Sequence, residues 1–460
     1  MLTHLAFVCA LTLSFLASDD PERREPDAGA PAHEVFSWTS ANGLRYTWWL
    51  PENYDPAVPR NLTVICHGTG LDYRWGHWNN KVKIFRPDDV VISVDGPTPN
   101  GESRLFMGEK KDAEAVRDFL RELRGLFSVE RVFLYGHSQG GFFVVYFAGE
   151  FPGEVAGVVA HASGAWNWSK ANKSVHPVAI CFMHGTKDPV VPYRQSSGSR
   201  DAYADKKFPL LHLRRLQSYN HWPNAVRANE CLAWCQGMTC AEPAEALAMA
   251  REILRPKGKD EYQWETAVGF AAARDVLRRL VGEGPAPFDA VDERLAADAR
   301  ELIDAIEDQG ARHAKELEKQ MEGAYDLGKG EWLGHLIALR EDFRGVDSVE
   351  AFMQEIGFDK RRKSQERPTA KILDAWYREG IRPADLFEAI VSNIGDAFLF
   401  EGFPPELVER MEGWHGAAKS LDLDKKALKQ WPEFEAWRDN WKQGSERYQD
   451  LWSDWKGAPR

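Results

Sequence analysis

An α/β architecture, a doubly wound and mostly parallel sheet followed by an all-helical C-terminal region, is what this 460-residue sequence predicts. Three observations carry it. From Glu34 to about Gly237, short β-branched and aromatic runs alternate with helical stretches, which implies strands joined by crossover helices and covered on both faces. After Cys240 such runs vanish, and residues 241–460 are rich in Ala, Leu, Glu, Lys, Arg and Trp at helical spacing. Within the first half, the apolar run Val132-Phe133-Leu134-Tyr135 stops at Gly136-His137-Ser138-Gln139-Gly140-Gly141, and a second begins at Phe142. That is how a strand hands over to a helix through a turn too tight for side chains.

From the N-terminus, residues 1–18 hold an apolar run from Leu5 to Leu16 ending in the small residues Ala17 and Ser18. It is too short to span a bilayer and suits a signal-peptide core, although no Lys or Arg precedes it. Export to a secreted or periplasmic location is expected, with a mistaken start or a buried N-terminal helix as alternatives. Residues 19–33 are charged and proline-rich without an apolar period and read as a disordered linker. Strands are expected at Val35–Thr39, Arg45–Leu50, Leu62–Cys66, Val90–Val94, Val132–Tyr135, Val155–His161, Val178–Met183 and Leu210–Leu216. Helices fall between several of them, among them Lys110–Leu126 and Gln139–Glu150. The Ser40-Ala41-Asn42-Gly43 turn joins the first two strands as an antiparallel hairpin.

The boundaries expected are a strand-and-helix domain at 34–240 and a helical domain of unknown role at 241–460, interrupted by RPKGKDE, GEGPAP, FDKRRKSQERP and EGFPPE. The last helices carry Phe434, Trp437, Trp441, Tyr448, Trp452 and Trp455. That stripe reads as the core of a helix pair in preference to a sugar-stacking surface.

Composition removes some function classes. A formal charge of −12 leaves no electrostatic footprint for nucleic acid, and no later stretch is long and apolar enough to cross a membrane. Six cysteines do not make a disulfide scaffold for a chain this long. Cys66 and Cys181 sit in strand-like runs as small hydrophobes. Cys231, Cys235 and Cys240 lie close together; in an exported protein one pair among them is a candidate bridge. Zinc is disfavoured there because the spacing lacks C-x-x-C and no histidine follows nearby.

The chemistry concentrates at strand ends. Gly136-x-Ser138-x-Gly140 is the pattern of a nucleophile elbow. A serine nucleophile needs a base, an acid to orient the base, and donors for the oxyanion, and in a parallel sheet all must arrive at carboxyl ends of strands. The third strand ends in His67-Gly68-Thr69-Gly70, a small-residue loop whose amides can point inward. The seventh ends in His184-Gly185-Thr186-Lys187-Asp188, a tight turn bearing a carboxylate. The eighth leads to Tyr219-Asn220-His221-Trp222, a loop histidine before a helix.

The order Ser138, Asp188, His221, with an HG loop upstream, resembles the α/β-hydrolase superfamily. Within it, HGTG, GHSQGG and HGTKDPVVPY look most like the esterases related to polyhydroxybutyrate depolymerases and feruloyl esterases, with a carboxylesterase/phospholipase branch close behind. The resemblance covers about 34–237. It implies Ser138 as nucleophile, His221 as base and then acid, and Asp188 as holder of the imidazole tautomer. It also implies the amides of Gln139 and of the Gly68-Thr69 loop as the oxyanion hole, and no cofactor. His137 precedes the elbow serine and points away from the attack face; His67 and His184 open glycine turns and satisfy local backbone groups; Asp95-Gly96-Pro97 needs no reading beyond a turn.

Trp75, Trp78, Trp166, Trp168 and Trp222 all follow strand ends on the same side, offering faces for sugar or phenyl groups, with packing as the rival for each. The expectation is a serine esterase cleaving acetyl or feruloyl polysaccharide esters, or short hydroxyacyl esters, through an acyl-enzyme. Its partners are the ester substrate and whatever the helical half binds. The alternatives are a prolyl-oligopeptidase-like serine peptidase, which lacks its propeller here, and a surface-interaction protein on a hydrolase scaffold.

Overall fold

In the computed structural model, which describes residues 36–358 apart from 52–53, 79–85, 87, 102, 167–176, 187, 189, 192, 217–218, 256–268, 324–335 and 337, the expected alternation becomes an eight-stranded sheet. The expected leader and linker, Trp168, and the aromatic stripe from Phe434 to Trp455 lie outside the described residues. Strands β1 (Phe36–Thr39), β2 (Arg45–Trp49), β3 (Arg60–Cys66), β4 (Val90–Val94), β7 (Val129–His137), β8 (Gly157–His161), β9 (Ala179–Gly185) and β10 (Leu211–Leu216) take the order β1-β2-β4-β3-β7-β8-β9-β10. The β1/β2 hairpin is antiparallel, as the turn sequence implies, and β2 pairs antiparallel with β4. β4/β3, β3/β7, β7/β8 and β8/β9 are parallel.

The order turns at β3, which has β4 on one side and β7 on the other. At such a switch point the following connections leave toward opposite faces and open a crevice at the strands' carboxyl ends. Register sharpens the placement: Cys66 pairs with Gly136, and His137 with His161. The loop after β3, the turn after β7 and the end of β8 therefore leave the sheet side by side. Val64, Ile65, Phe133, Leu134, Val158 and Val159 are fully buried, which a strand covered on both faces requires.

Helices α2 (Lys110–Leu126) and α3 (Gln139–Glu150) span the residues expected. α2 buries one stripe, Ala113, Val116, Phe119, Leu120 and Leu123, whereas α3 is buried from Gln139 to Ala148 except Phe142. Two features escape sequence periodicity: the four-residue helix α1 (Trp75–Trp78), and a small separate hairpin of β5 (Thr98–Asn100) and β6 (Ser103–Leu105). The hairpin has polar and proline residues and turns at Gly101 with φ 63°, so no apolar alternation marks it.

The chain forms two compact units, Met1–His184 with Ser196–Arg214 and Trp222–Arg300, and Gly185–Gln195 with Arg215–His221 and Glu301–Arg460. α5 (Ala225–Thr239), α6 (Pro243–Leu254) and α7 (Phe270–Leu280) pack on one another in the first, so helices on both sides of the expected boundary at 240 share one unit. Asn224 caps α5 by accepting the Arg227 amide at 3.2 Å. Arg279 ties α7 back, donating to the Gly237 carbonyl and, at 3.0 Å, to that of Cys240. In the second unit the Glu307 carboxylate takes the Asp347 amide (3.2 Å) and the Ser348 amide (3.4 Å) at the start of helix α9 (Asp347–Glu355). α8 (Glu293–Gly323) precedes it and α4 (Arg194–Asp205) lies between β9 and β10. Among the described residues no helix is long and apolar enough to cross a membrane.

The cysteines depart from the expected bridge. Cys231, Cys235 and Cys240 are free and buried. Cys231 and Cys235 lie one turn apart on α5, both pointing into the core, where the Cys235 thiol sits 3.7 Å from the Val158 carbonyl.

Candidate active site

Ser138 stands between β7 and α3 with φ 51° and ψ −117°, a backbone region that costs about 1–3 kcal/mol for a non-glycine residue. The surroundings hold it there. Its amide donates to the His161 carbonyl at 2.9 Å, and the glycines around it leave no room to relax. A Cβ on Gly136 would stand 2.1 Å from the Gly140 carbonyl oxygen, one on Gly140 2.2 Å from that of Cys66, and one on Gly141 2.3 Å from the Ser163 hydroxyl. The G-x-S-x-G-G spacing is thus the condition for α3 to pass this close to β3, β7 and β8. Gln139 is the first residue of α3, so its amide belongs to the turn whose N–H groups have no intrahelical acceptor.

The loop after β3 crosses directly against the elbow: a Cβ on Gly68 would lie 3.1 Å from Ser138 Cβ. It turns through Leu71 N–H to the Gly68 carbonyl (3.2 Å), with Gly70 at φ 77°, the position that demands glycine in such a turn. His67 is fully buried and local, as expected. Its Nδ1 lies 2.8 Å from the Gly68 carbonyl and its Nε2 accepts the Gly96 amide at 3.3 Å. A carbonyl oxygen only accepts, so the proton is on Nδ1.

In the second unit Asp188 and His221 come together. His221 Nδ1 donates to Asp188 Oδ2 at 2.8 Å, and Oδ1 accepts the amides of Val190 (2.8 Å) and Val191 (2.9 Å). Both groups are buried. With Nδ1 committed to the carboxylate, Nε2 is the basic nitrogen. Gly185 makes the approach of the two loops feasible, since a Cβ there would stand 2.2 Å from the Tyr219 carbonyl and 2.6 Å from that of Asn220. His184 does not serve a local backbone group as expected: its Nδ1 donates to Ser196 Oγ (2.7 Å), twelve residues on, whose hydroxyl donates to the Ser163 carbonyl.

A family profile described as phospholipase/carboxylesterase matches residues 107–221, the span from just before α2 through the elbow to His221. With the sheet order and the strained serine, this decides the fold. It is an α/β-hydrolase fold. A bifunctional acetylxylan esterase/xylanase of Neocallimastix patriciarum is 27% identical over 160 residues, covering 34% of this chain and 23% of that one; the chain spans about a quarter of that relative's length. Solved structures similar to it include a ferulic acid esterase of Anaeromyces mucronatus in complex with ferulic acid (14% identity, 45% of this chain, 90% of that one, TM-score 0.35). Another is a feruloyl esterase module of Clostridium thermocellum complexed with sinapinate (15% identity, 47% and 94%, TM-score 0.32).

The tryptophans of this hydrolase fold divide. Trp75 is 5% exposed and stacks on His137 at 5.1 Å, so its indole belongs to the core and not to a substrate face. Trp166 is half-buried, stacked on Phe142 at 5.4 Å and packed against Gly108. Trp222 is 53% exposed and stacks on the buried His137 at 5.7 Å. Trp78 ends α1, and its side chain lies outside what the structure describes.

One residue that sequence reading passed over is Asp95. Its carboxylate is buried, accepting the Tyr73 amide at 2.9 Å and Arg45 Nε at 2.7 Å, 3.6 Å from His67 Nε2. Burial pushes the carboxyl up, and the Arg45 guanidinium bonded to it pulls it down. An Asp-Gly-Pro turn looks like any other in sequence, and no spacing flags it.

Proposed function

We propose that this chain is a serine esterase that cleaves carboxylic esters through an acyl-enzyme, with Ser138, His221 and Asp188 as its triad. The observation that carries the reading is the Asp188–His221 pair, a buried carboxylate that keeps the imidazole proton on Nδ1 and so leaves Nε2 as the base. One step along the chain from His221, Trp222 stacks on His137, the neighbour of Ser138. Ser138 Oγ attacks the ester carbonyl carbon as its proton passes to His221 Nε2. The carbonyl oxygen becomes an oxyanion facing the amides of Gln139 and the Gly68-Thr69 loop. Collapse breaks the bond to the alcohol, which leaves with the proton from His221; water then enters by the same steps in reverse order and frees the acid.

Acetyl or feruloyl groups on polysaccharides, or short hydroxyacyl esters, are the substrates favoured. The partial likeness to an acetylxylan esterase/xylanase and the exposed indole of Trp222 support them. Export agrees with the apolar N-terminal run of 1–18. Ser138→Ala and His221→Ala should each lower turnover of nitrophenyl acetate by about four to six orders of magnitude with the melting temperature retained, and a phosphonate should label Ser138. Retention of more than about a hundredth of the rate by either variant overturns the assignment. Preference for acyl chains of about eight carbons or more over acetyl and feruloyl groups, as in a lipase-like groove, overturns the substrate class.

A further inference from the structure

We propose that Asp95 is a positioning residue for the oxyanion loop, holding the Tyr73 amide and anchoring the turn whose Gly96 amide sets the His67 tautomer, and so aiming the Thr69 amide; this rests on the esterase reading above. The loop from His67 to Tyr73 lies against the elbow through Gly68, so any freedom in it moves the donor relative to Ser138. It is pinned at both ends by one carboxylate turn. At the far end, Asp95 Oδ1 takes the Tyr73 amide. At the near end, the residue after Asp95 presents its amide to His67 Nε2, which forces the imidazole proton onto Nδ1 and thence to the Gly68 carbonyl.

That last bond sets a direction. The peptide between Gly68 and Thr69 is planar and trans, so holding its C=O inward against His67 turns the Thr69 N–H the opposite way. Were the proton on Nε2, Nδ1 would face the Gly68 carbonyl with a lone pair, and the two acceptors would repel. The peptide plane would rotate and take the donor with it. Asp95-Gly96 is itself held so that it cannot follow. Arg45 Nε donates to Asp95 Oδ2, Arg104 Nε donates to the Gly96 carbonyl at 2.6 Å, and a Cβ on Gly96 would stand 2.3 Å from the Leu105 backbone. Asp95 reaches no reacting atom in this scheme. It holds the Tyr73 end of the loop and the turn whose Gly96 amide fixes the tautomer and the peptide plane.

The test uses the full chain with nitrophenyl acetate, comparing Asp95→Asn, His67→Gln and His67→Leu. A donor that has lost its aim weakens the transition state and not the ground state, so kcat should fall about 10- to 100-fold in Asp95→Asn and His67→Leu while KM stays within about twofold. His67→Gln, whose amide can still donate to Gly68, should recover at least a third of the lost kcat on a logarithmic scale. Wild-type kcat in Asp95→Asn or in His67→Leu, or no difference between the two His67 variants, overturns the proposal. So does a loss confined to KM or to melting temperature. If Asp95→Asn does not fold, the two His67 variants decide alone. Failure of the esterase reading is separate: it shows as activity surviving in Ser138→Ala, whatever these three variants do.

Discussion

At the scale of single residues, the glycines around Ser138 differ in kind from Gly125 on α2. Gly140 has backbone carbonyls of Cys66 and His67 where its Cβ would be, at 2.2 and 2.6 Å, and backbone in a parallel sheet cannot step aside. Gly140→Ala should therefore cost roughly 2–4 kcal/mol and abolish activity with it. Gly125, near the end of α2, has nothing within 4 Å of its Cβ position and no positive φ. Gly125→Ala should stabilise the protein by about 0.5–1 kcal/mol through a stiffer unfolded chain and better helix propensity. Thermal melts of the two variants beside the wild type check both signs. The contrast explains what could be read in advance: the elbow announces itself because its geometry excludes every side chain at fixed spacings. Asp95 does not, because a buried anchor and a solvated turn share one tripeptide.

Between elements, the end of the sheet opposite the elbow is joined to the helices by a polar cluster. Asp89, just before β4, accepts from Thr63 Oγ1 (2.6 Å) and Gln236 Nε2 (2.8 Å) on α5, and Arg86 pairs with Glu252 on α6. Burial pushes the Asp89 carboxyl up to about 6, against the pull of Arg86 and the hydrogen bonds from Thr63 and Gln236. A carboxyl raised on folding binds its proton more tightly in the native state. Its contribution is therefore fully present below the unfolded value near 4 and is lost as pH rises through about 6. The loss is at most about 3 kcal/mol for a shift of this size. Asp89→Asn keeps an oxygen for both donors, so its stability relative to wild type should rise across that window and level off above it. Denaturant unfolding at pH 4, 5, 6 and 7 follows the difference; a flat difference would mean that Arg86 holds Asp89 ionised throughout. Strands and the helices α2 and α3 were legible here because their apolar periods are strong. The β5/β6 hairpin was not, because its three-residue strands are polar or proline-bearing and carry no apolar period.

Over the whole chain, composition changes where strands cease, at 240, but packing does not. α7 buries Phe270, Val276, Leu277 and Leu280 among its contacts with α5 and α6, and Arg279 bonds the carbonyls that end α5. A sequence reader sees the loss of strands and draws a boundary, since helices carry no label for which core they cover. Chains ended after 257 and after 292 should therefore behave differently. The shorter one leaves an apolar face of α5 and α6 without α7, with several side chains each worth about 1.5–3 kcal/mol in burial, and should be insoluble or melt far lower. Equal solubility and melting temperature of the two would place α7 outside the folding unit.

The sealed cysteines bring a practical consequence. Cys66, Cys181, Cys231, Cys235 and Cys240 are buried, and burial pushes each thiol upward, away from the reactive thiolate. Four lie in the sheet or on α5, and the fifth closes α5. An alkylating reagent meets them only when these elements come apart, so the rate of labelling, resolved by peptide, is a clock for local against global opening. The protein thus carries its own set of isotope-free exchange probes, already distributed between the centre of the sheet and the helix that covers it.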